Sequence, residues 1–375
     1  MHSFASLALF ALPLLAAVAP VVAQGGQICG PGKLCPASAP CCSEYGFCGS
    51  GHFCLGGCNP LWSKSPGSCE PEPVCKDATH TFADNSRILS NSTQYNGNAT
   101  GYDWVVDKGQ VINTNQNGGE LALLLTQTNG GTRISSTRYV HYGNITARMK
   151  TSKWAGVVSA FITMSDSKDE IDWEWPGINT TQAQTNYFWL GVANYSANHG
   201  STINGVSDTY SNYHDYTIDW QPSQLVFSID GKTVRTITKE STLNGGVYQY
   251  PTTPARVQIS LWPAGINTSA PGTVTWAGGM INWNDPDYVA AGGHFSNVIS
   301  SVTIKCADPT PLPTNATGYV YGANDTTGIP TILITNHTTM TNGAVGGFAG
   351  LGAGALGFSG VWAVVAILGG VVALL

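Results

Sequence analysis

The sequence predicts an all-β protein, in which a concave antiparallel β-sandwich of the jelly-roll type follows a small disulfide-rich module. From residue 76 to residue 306 the chain consists of short alternating segments separated by Gly, Asn and Pro, and none has the 3.6-residue period of a long helix. An Asp-Gly turn at Asp230 and Gly231 separates two such segments, as in a β-hairpin. Nine of the ten cysteines fall between Cys29 and Cys75, which is typical of a stapled mini-domain.

The composition excludes several classes of protein. The 375 residues include 16 Lys and Arg against 22 Asp and Glu, so the formal net charge is −6 and only 10% of the chain is charged, where soluble domains average about 25%. This acidic balance lacks the basic surface that nucleic acids require. A hydrophobic fraction of 42% excludes disorder of the whole chain. Few charges among many Asn, Thr, Ser and aromatic residues indicate a surface for neutral polar ligands, such as sugars.

Both ends of the chain have the character of targeting segments. Residues 1–23 are an apolar run that ends in Val-Val-Ala, which predicts a secretory signal peptide. At the other end, a small-residue site at Asn342 precedes a Gly- and Ala-rich spacer and an uncharged apolar tail. This layout predicts a glycosylphosphatidylinositol (GPI) anchor on Asn342 and removal of residues 343–375, since no basic flank marks a retained membrane helix. We therefore expect a secreted protein anchored at the outer face of the plasma membrane.

Asn-x-Ser/Thr sequons are spread along the chain and favour passage through the secretory lumen, where N-glycans are added. Residues 307–342 are rich in Thr and Pro and include the last sequons, which predicts a glycosylated stalk. The candidate glycosylation sites are Asn91, Asn98, Asn144, Asn179, Asn194, Asn267, Asn315, Asn324 and Asn336.

The cysteine-rich module, residues 24–75, has three aromatic side chains that so small a domain has no room to bury. Tyr45, Phe47 and Phe53 accompany the hydroxyl of Ser43. Displayed rings can stack on the faces of sugar rings, while a hydroxyl can bind an acetamido group or a ring hydroxyl. The alternatives are a cystine knot without a ligand and a zinc site, although the cysteine run contains a single histidine.

The paired cysteines, the serine and the three aromatic positions resemble the hevein-type chitin-binding module, carbohydrate-binding module family 18, over residues 27–69. This resemblance implies that Ser43, Tyr45, Phe47 and Phe53 bind N-acetylglucosamine units. It also implies four disulfides, after which Cys75 and Cys306 are left to tie the two ends of the next domain together. The four implied pairs within the module are Cys29–Cys42, Cys35–Cys48, Cys41–Cys54 and Cys58–Cys69.

A run of carboxylates at residues 170–174 is the most informative motif in the chain. Because side chains alternate along a strand, Glu170, Asp172 and Glu174 share one face, and the intervening Ile and Trp residues share the other. Four strand steps place the Cα atoms of Glu170 and Glu174 about 13 Å apart. Side chains that lean inward over a concave sheet then leave about 5 Å between the two carboxyls, the separation found in retaining glycosidases. Mutual repulsion raises one pKa and so yields an acid and a base.

Two other interpretations of these carboxylates are a solvated acidic face and a calcium site. The strongly apolar opposite face argues for a central strand rather than a solvated ribbon. Calcium ligands normally come from a loop or a bulge rather than from alternate strand positions. The pattern therefore favours catalysis.

The Glu-x-Asp-x-Glu motif followed by Trp resembles the signature of glycoside hydrolase family 16. In the branch of that family formed by the fungal Crh cell-wall enzymes, the first Glu is the nucleophile and the last is the acid/base. The resemblance therefore assigns these roles to Glu170 and Glu174, and we expect Asp172 to hold Glu170 in place. The wider segments that resemble the Crh branch are residues 156–161, 213–220 and 261–279.

The resemblance also implies that Gln258, Trp262 and Thr273 contact the sugar chain. Strand parity places Gln258 and Trp262 on one polar and aromatic face with Ser260, opposite a face of aliphatic residues. An alternative for Trp262 is an ordinary position in the hydrophobic core.

By resemblance, residues 76–306 form the catalytic domain of a transglycosylase that cleaves chitin with retention and transfers it to β-glucan or chitin, cross-linking the cell wall. Two alternatives stay open, namely a hydrolase that uses the same residues with water as acceptor, and a non-enzymatic chitin lectin or adhesin. Intact carboxylates speak against the lectin. No metal, nucleotide or Ser-His-Asp constellation is evident in the sequence. We expect a monomer without a cofactor, bound to chitin, β-glucan and a GPI lipid or linked to the wall, with no nucleic acid or nucleotide partner.

Overall fold

The computed structural model describes residues 26–192 and 199–341. The predicted signal peptide, the predicted GPI site at Asn342 with the tail behind it, and the sequon at Asn194 lie outside the described residues. Within these two described ranges, no helix is long and apolar enough to cross a membrane.

The cysteine-rich module is held together by disulfides rather than by regular structure. Strands β1 (Cys41–Cys42) and β2 (Cys48–Gly49) form its small antiparallel sheet, beside 3-10 turns at Gly51–Cys54 and Pro66–Ser68. Half-cystines make up its small buried clusters, as expected for a domain with too few aliphatic side chains. The disulfides have the pairing that the hevein resemblance implied, Cys29–Cys42, Cys35–Cys48, Cys41–Cys54 and Cys58–Cys69, and a fifth joins Cys75 to Cys306.

The zinc alternative finds no support in this module. Three sulfur atoms, those of Cys29, Cys35 and Cys42, lie within 4.8 Å of one another. All three are already oxidised to disulfides, so none is a thiolate that a metal could bind.

Two eight-stranded sheets form a sandwich after the module, which confirms the predicted all-β fold. A short linker strand, β3 (Glu72–Pro73), precedes it. The strands of the sandwich are β4 (Ala78–His80), β5 (Ile88–Leu89), β6 (Trp104–Lys108), β7 (Gln110–Asn113), β8 (Leu121–Leu125), β9 (Thr132–Val140), β10 (Gly143–Lys150), β11 (Val157–Ser165), β12 (Glu170–Pro176), β13 (Gln182–Phe188), β14 (Ser201–Asn204), β15 (His214–Trp220), β16 (Gln224–Ile229), β17 (Lys232–Thr238), β20 (Ala255–Pro263) and β21 (Phe295–Cys306), with a small hairpin of β18 (Leu243–Asn244) and β19 (Val247–Tyr248). Helices α1 (Pro271–Trp276) and α2 (Pro286–Ala290) and 3-10 turns at Ser92–Gln94 and Glu240–Thr242 complete it.

The sheet that carries the carboxylates, called the catalytic sheet below, has the strand order β14-β13-β12-β11-β20-β9-β6-β5. The second sheet has the order β17-β16-β15-β10-β21-β8-β7, with β4 also paired to β21. Strands far apart in sequence are neighbours in both sheets, as in a jelly roll. The predicted hairpin joins β16 to β17, and Asp230 and Gly231 have the positive φ angles, 51° and 76°, of a two-residue turn.

Aromatic side chains fill the space between the two sheets. Trp104, Trp173, Trp175 and Trp220 are each exposed by 1% or less. The rings of Trp173 and Trp175, both from β12, lie 5.6 Å and 4.4 Å from the ring of Tyr216 in the second sheet. Because one face of β12 is committed to this core, its other face must point away from the core.

Residues 318–335, which the composition assigned to a stalk, are folded. Strands β22 (Gly318–Asn324) and β23 (Pro330–Thr335) form a hairpin, and β22 also pairs with the linker strand β3. Tyr319 and Tyr321 are 0% and 6% exposed, and Tyr319 Oη donates a hydrogen bond to Asp308 at 2.6 Å. The stalk expectation is therefore wrong for this segment, since its alternating tyrosines supply an apolar face that a solvated stalk lacks.

Candidate active site

Strand β12 presents three carboxylates on the face of the catalytic sheet opposite the aromatic core, and this face is called the cleft face. Asp172 is 3% exposed, and Glu170 and Glu174 are half-buried. The isoleucine and the two tryptophans between and after them are 1% exposed or less. Strands β11 and β13 pair with β12 on both sides and hold its backbone. This is the strand parity that the sequence predicted, on a rigid element suited to a catalytic site.

The two glutamates differ in their electrostatic surroundings. Burial raises the pKa of Glu170, while the charges of Lys168 and Arg133 lower it. Burial also raises the pKa of Glu174, and there the negative charge of Glu170 raises it further. Glu174 therefore keeps its proton to a higher pH than Glu170, as expected when one carboxyl acts as an acid and its neighbour as a base.

Asp172 lies between the two glutamates and is the most deeply buried of the three. Burial raises its pKa well above the usual range, the charges of Glu170 and Glu174 add to this effect, and Arg235 opposes it. Its Oδ1 atom is buried without a hydrogen-bond partner among the described residues. A protonated Asp172 can donate a hydrogen bond to a glutamate beside it.

Gln258 lies in line with Asp172 across the catalytic sheet. Ile162 of β11 is the register partner of both residues, so two strand spacings, about 10 Å, separate their backbones. Gln258 is 1% exposed, and its Nε2 atom is buried without a partner among the described residues. The sheet thus has an amide donor in the same row as the central carboxylate.

Trp262 and Thr273 lie near helix α1. The half-buried ring of Trp262 stacks on Trp276 at 6.0 Å with an interplanar angle of 22°, and Thr273 is half-buried on the same helix as Trp276. Trp276 Nε1 donates a hydrogen bond to Gln184 Oε1 at 2.8 Å. Gln184 is in turn the cross-strand neighbour of Glu174. Helix α1 is therefore connected to β13, the strand next to β12. Trp262 forms an aromatic surface beside this helix and is not a fully buried core residue.

The structure adds Gln184 and Trp276 to the residues that the sequence predicted. A parity argument finds Gln184, because residues 182–187 alternate between polar side chains on the carboxylate face and buried ones on the core face. Trp276 lies one helical turn after Thr273, so it was within a segment already singled out. Neither residue belongs to a sequence motif as distinctive as that of the three carboxylates.

The predicted sugar-binding residues of the module lie where the module meets the catalytic sheet. Tyr45 is 47% exposed, whereas Ser43, Phe47 and Phe53 are half-buried. Tyr45 Oη lies 3.4 Å from Nη2 of Arg133 on β9. The expectation of freely displayed rings therefore holds for Tyr45 but not for the two phenylalanines. Phe53 packs against half-cystines of the module itself, and Phe47 lies beside Gly26.

The sequons within the described residues are accessible. All eight of those asparagines are exposed or half-exposed, and none is buried. Their positions are compatible with N-glycans, and occupancy stays a prediction.

The fold and this site define an enzyme of the retaining glycoside hydrolase and transglycosylase class. The family model described as glycosyl hydrolases family 16 matches residues 98–278. Crh-like protein 2 of Aspergillus fumigatus is 41% identical over 333 residues, which cover 88% of this chain and 74% of the relative. Congo red hypersensitive protein 2 of Saccharomyces cerevisiae is 40% identical, with 84% and 68% covered.

A solved structure described as Crh5 transglycosylase in complex with NAG is also similar. It is 30% identical with a TM-score of 0.56, over 70% of this chain and 94% of that one. The chain belongs to the Crh-like proteins of glycosyl hydrolase family 16. It is therefore a cell-wall glycosidase and transglycosylase, and polysaccharides are its substrates.

Proposed function

We propose that this enzyme cleaves chitin with retention of configuration and transfers the released chain to β-glucan or chitin, cross-linking the cell wall. The observation that carries the proposal is the asymmetric pair Glu170 and Glu174 on the cleft face of β12, with Asp172 between them. Similarity to a transglycosylase whose solved complex contains NAG supports the choice of an N-acetylglucosamine polymer as donor.

The difference in pKa supports one assignment of roles. Glu174, which keeps its proton longer, donates it to the leaving glycosidic oxygen as that bond breaks. Glu170, which ionises first, attacks the anomeric carbon with its carboxylate and forms a glycosyl-enzyme ester. Glu174 then removes the proton from the acceptor hydroxyl, whose oxygen displaces Glu170. Two displacements restore the original configuration, and the proton that Glu174 gave is regained.

Asp172 acts in this scheme as a positioning residue. Burial raises the pKa of Asp172 well above its usual range. In its protonated form it donates a hydrogen bond to Glu170 while Glu170 is ionised, and it adds no third negative charge. The half-exposed stacked rings of Trp262 and Trp276 support binding of sugar rings beside the reacting bond. Gln258 is 1% exposed, so in this scheme its amide acts in the row of Asp172 rather than on the sugar directly.

Purified full-length protein incubated with a chitin oligomer and a fluorescent β-glucan oligomer tests the proposal. We expect a larger fluorescent product that a chitinase shortens and that Glu170→Gln abolishes. Release of shorter chitin oligomers without a fluorescent product would identify a hydrolase. Binding without any cleavage would identify a lectin.

We propose further that the mature protein carries a GPI lipid on Asn342 and that the cysteine-rich module binds chitin. The small-residue site followed by an apolar tail supports the first statement. The Ser43 and aromatic pattern supports the second. Release of the protein from membranes by a phospholipase specific for phosphatidylinositol tests the anchor, with Asn342→Gln as the comparison variant.

A further inference from the structure

The cysteine-rich module is docked on the cleft face of the catalytic sheet through a network of charges. Glu44 Oε1 lies 2.6 Å from Arg133 Nη2, and Glu44 Oε2 lies 3.8 Å from Arg256 Nη2. Both arginines also pair with Asp107, at 2.9 Å and 3.8 Å. Ile134, Ile259 and their neighbours occupy the core face of the same strands, so the charged residues project from the cleft face.

Close backbone contacts fix the docked position. The Gly57 N–H donates a hydrogen bond to Asp166 Oδ1 at 3.0 Å. Gly57 has a φ of 89°, and a Cβ atom on it would lie 2.9 Å from Cβ of Glu44, so this approach favours a residue without a side chain. Although burial opposes its charge, Glu44 keeps a pKa below the usual range because of Arg133 and Arg256. The module therefore sits at a defined place on the sheet.

The cross-strand register shows how close that place is to the carboxylates. Arg256 is in line with Glu170 through Met164, two strand spacings or about 10 Å away. Arg133 is in line with Glu174 through the intervening strands β11 and β20, three spacings or about 14 Å away. The two arginines that hold the module thus lie two and three strands away from the strand that carries the carboxylates.

A cavity of about 240 Å³ lies between the module and the sheet. All four predicted sugar-binding residues of the module line it, and so do Tyr95 and Arg256 of the catalytic domain. Tyr95 Oη and Arg256 Nε are buried atoms without a hydrogen-bond partner among the described residues. The cavity thus combines aromatic faces with the phenol of Tyr95 and the guanidinium of Arg256, groups that suit the apolar faces and acetamido carbonyls of N-acetylglucosamine units.

We propose that the docked module is a part of the substrate cleft, and that one chitin chain occupies both the cavity under Tyr45 and the catalytic carboxylates. In this arrangement Tyr45, Phe47 and Phe53 bind remote sugars of the chain that is being cleaved, rather than a second chain elsewhere in the wall. The inference rests on the proposed chitin substrate. Binding energy gained at the remote sugars helps to hold the scissile bond against Glu170.

Stoichiometry distinguishes one continuous site from two separate ones. Titration calorimetry of full-length Glu170→Gln, which cannot form the glycosyl-enzyme, measures binding of the N-acetylglucosamine hexamer without turnover. We expect one hexamer per chain. Tyr45→Ala and Trp262→Ala should each weaken that single binding event, by about tenfold for Tyr45→Ala, which corresponds to about 1.4 kcal/mol at 25 °C.

Two further variants control for folding and for the mere loss of a tyrosine. Tyr45→Phe keeps the ring and should restore most of the affinity. Tyr248→Ala removes a tyrosine that is 40% exposed in the β18–β19 hairpin and should leave hexamer binding unchanged. Two hexamers per chain, with Tyr45→Ala deleting one of them, would overturn the inference. Failure of the transfer assay with normal hexamer binding would instead contradict the proposed function alone.

Discussion

In the catalytic sandwich, fully buried tryptophans between two sheets maintain the fold, whereas in the cysteine-rich module disulfides do so among few buried aliphatic side chains. In the sandwich, one face of β12 packs into the core, and the other face carries the three carboxylates. The module packs Trp62 and Phe53 against its half-cystines, while Tyr45 and Phe47 line the cavity beside the catalytic sheet. Core packing thus stabilises the sandwich and disulfides stabilise the module. A substitution in the core should leave the module folded, and loss of a disulfide should leave the sandwich folded.

The largest expected effect is the loss of transferase activity when a catalytic glutamate is replaced, while both regions stay folded. Glu170→Gln should reduce transfer by about a thousandfold or more, because an amide cannot form the glycosyl ester. Glu174→Ala should lose transfer from natural donors, yet recover in part with a donor whose leaving group needs no proton and with azide as nucleophile. Product configuration is the measurement. A retained product from Glu174→Ala and an inverted one from Glu170→Ala support the assigned roles, and the opposite pattern exchanges them.

A core substitution tests the hydrophobic half of the comparison. Trp173→Ala should lower the free energy of unfolding of the sandwich by about 3–5 kcal/mol, because a large buried ring leaves a cavity. Hydrogen exchange followed peptide by peptide should show the loss in the β-sandwich and leave the module's protection unchanged. Leu243→Ala, at a position 53% exposed, is the matched surface control. Equal loss of protection in both regions would mean that they unfold as one unit.

A disulfide deletion tests the covalent half. Cys58→Ser combined with Cys69→Ser opens a loop with a sequence separation of 11, which the chain-entropy model values at about 3 kcal/mol. We expect faster hydrogen exchange within residues 27–69 and an unchanged melting temperature of the sandwich. An unchanged module would contradict the view that its half-cystines replace a core.

The smallest expected effect concerns the contact between the two regions. Glu44→Gln should weaken docking by about 2 kcal/mol, between the values for exposed and for buried ion pairs. Lowering the pH should also weaken docking of the module. Because the pKa of Glu44 is lowered on docking, the ion pair contributes fully above the usual carboxyl pKa and its contribution is lost as the pH falls through the lowered one. Proteolysis near Gly56 and Gly57 reports the release, and Glu70→Gln is the control carboxylate.

The parts of the structure that the sequence predicted well are those governed by local rules. Alternation along a strand placed Glu170, Asp172 and Glu174 on one face, and the Asp-Gly turn marked its hairpin. The docked position of the module escaped prediction, because Glu44 and Arg133 are 89 residues apart and neither has a neighbour in sequence that indicates the other. The folded β22–β23 hairpin escaped because its Thr- and Pro-rich surroundings outweighed the alternation of Tyr319 and Tyr321.

The pairing of β3 with β22, together with the Cys75–Cys306 bond, determines how the molecule responds to a pulling force. If the module binds chitin while the C-terminal segment is tethered, tension along the chain enters through β3 and leaves through β23, and both of these strands pair with β22. The three-stranded sheet and the disulfide therefore share the load with the contacts that hold the module on the catalytic sheet. Tension along the backbone bypasses β12, because the Cys75–Cys306 bond closes the catalytic domain between the two points of load.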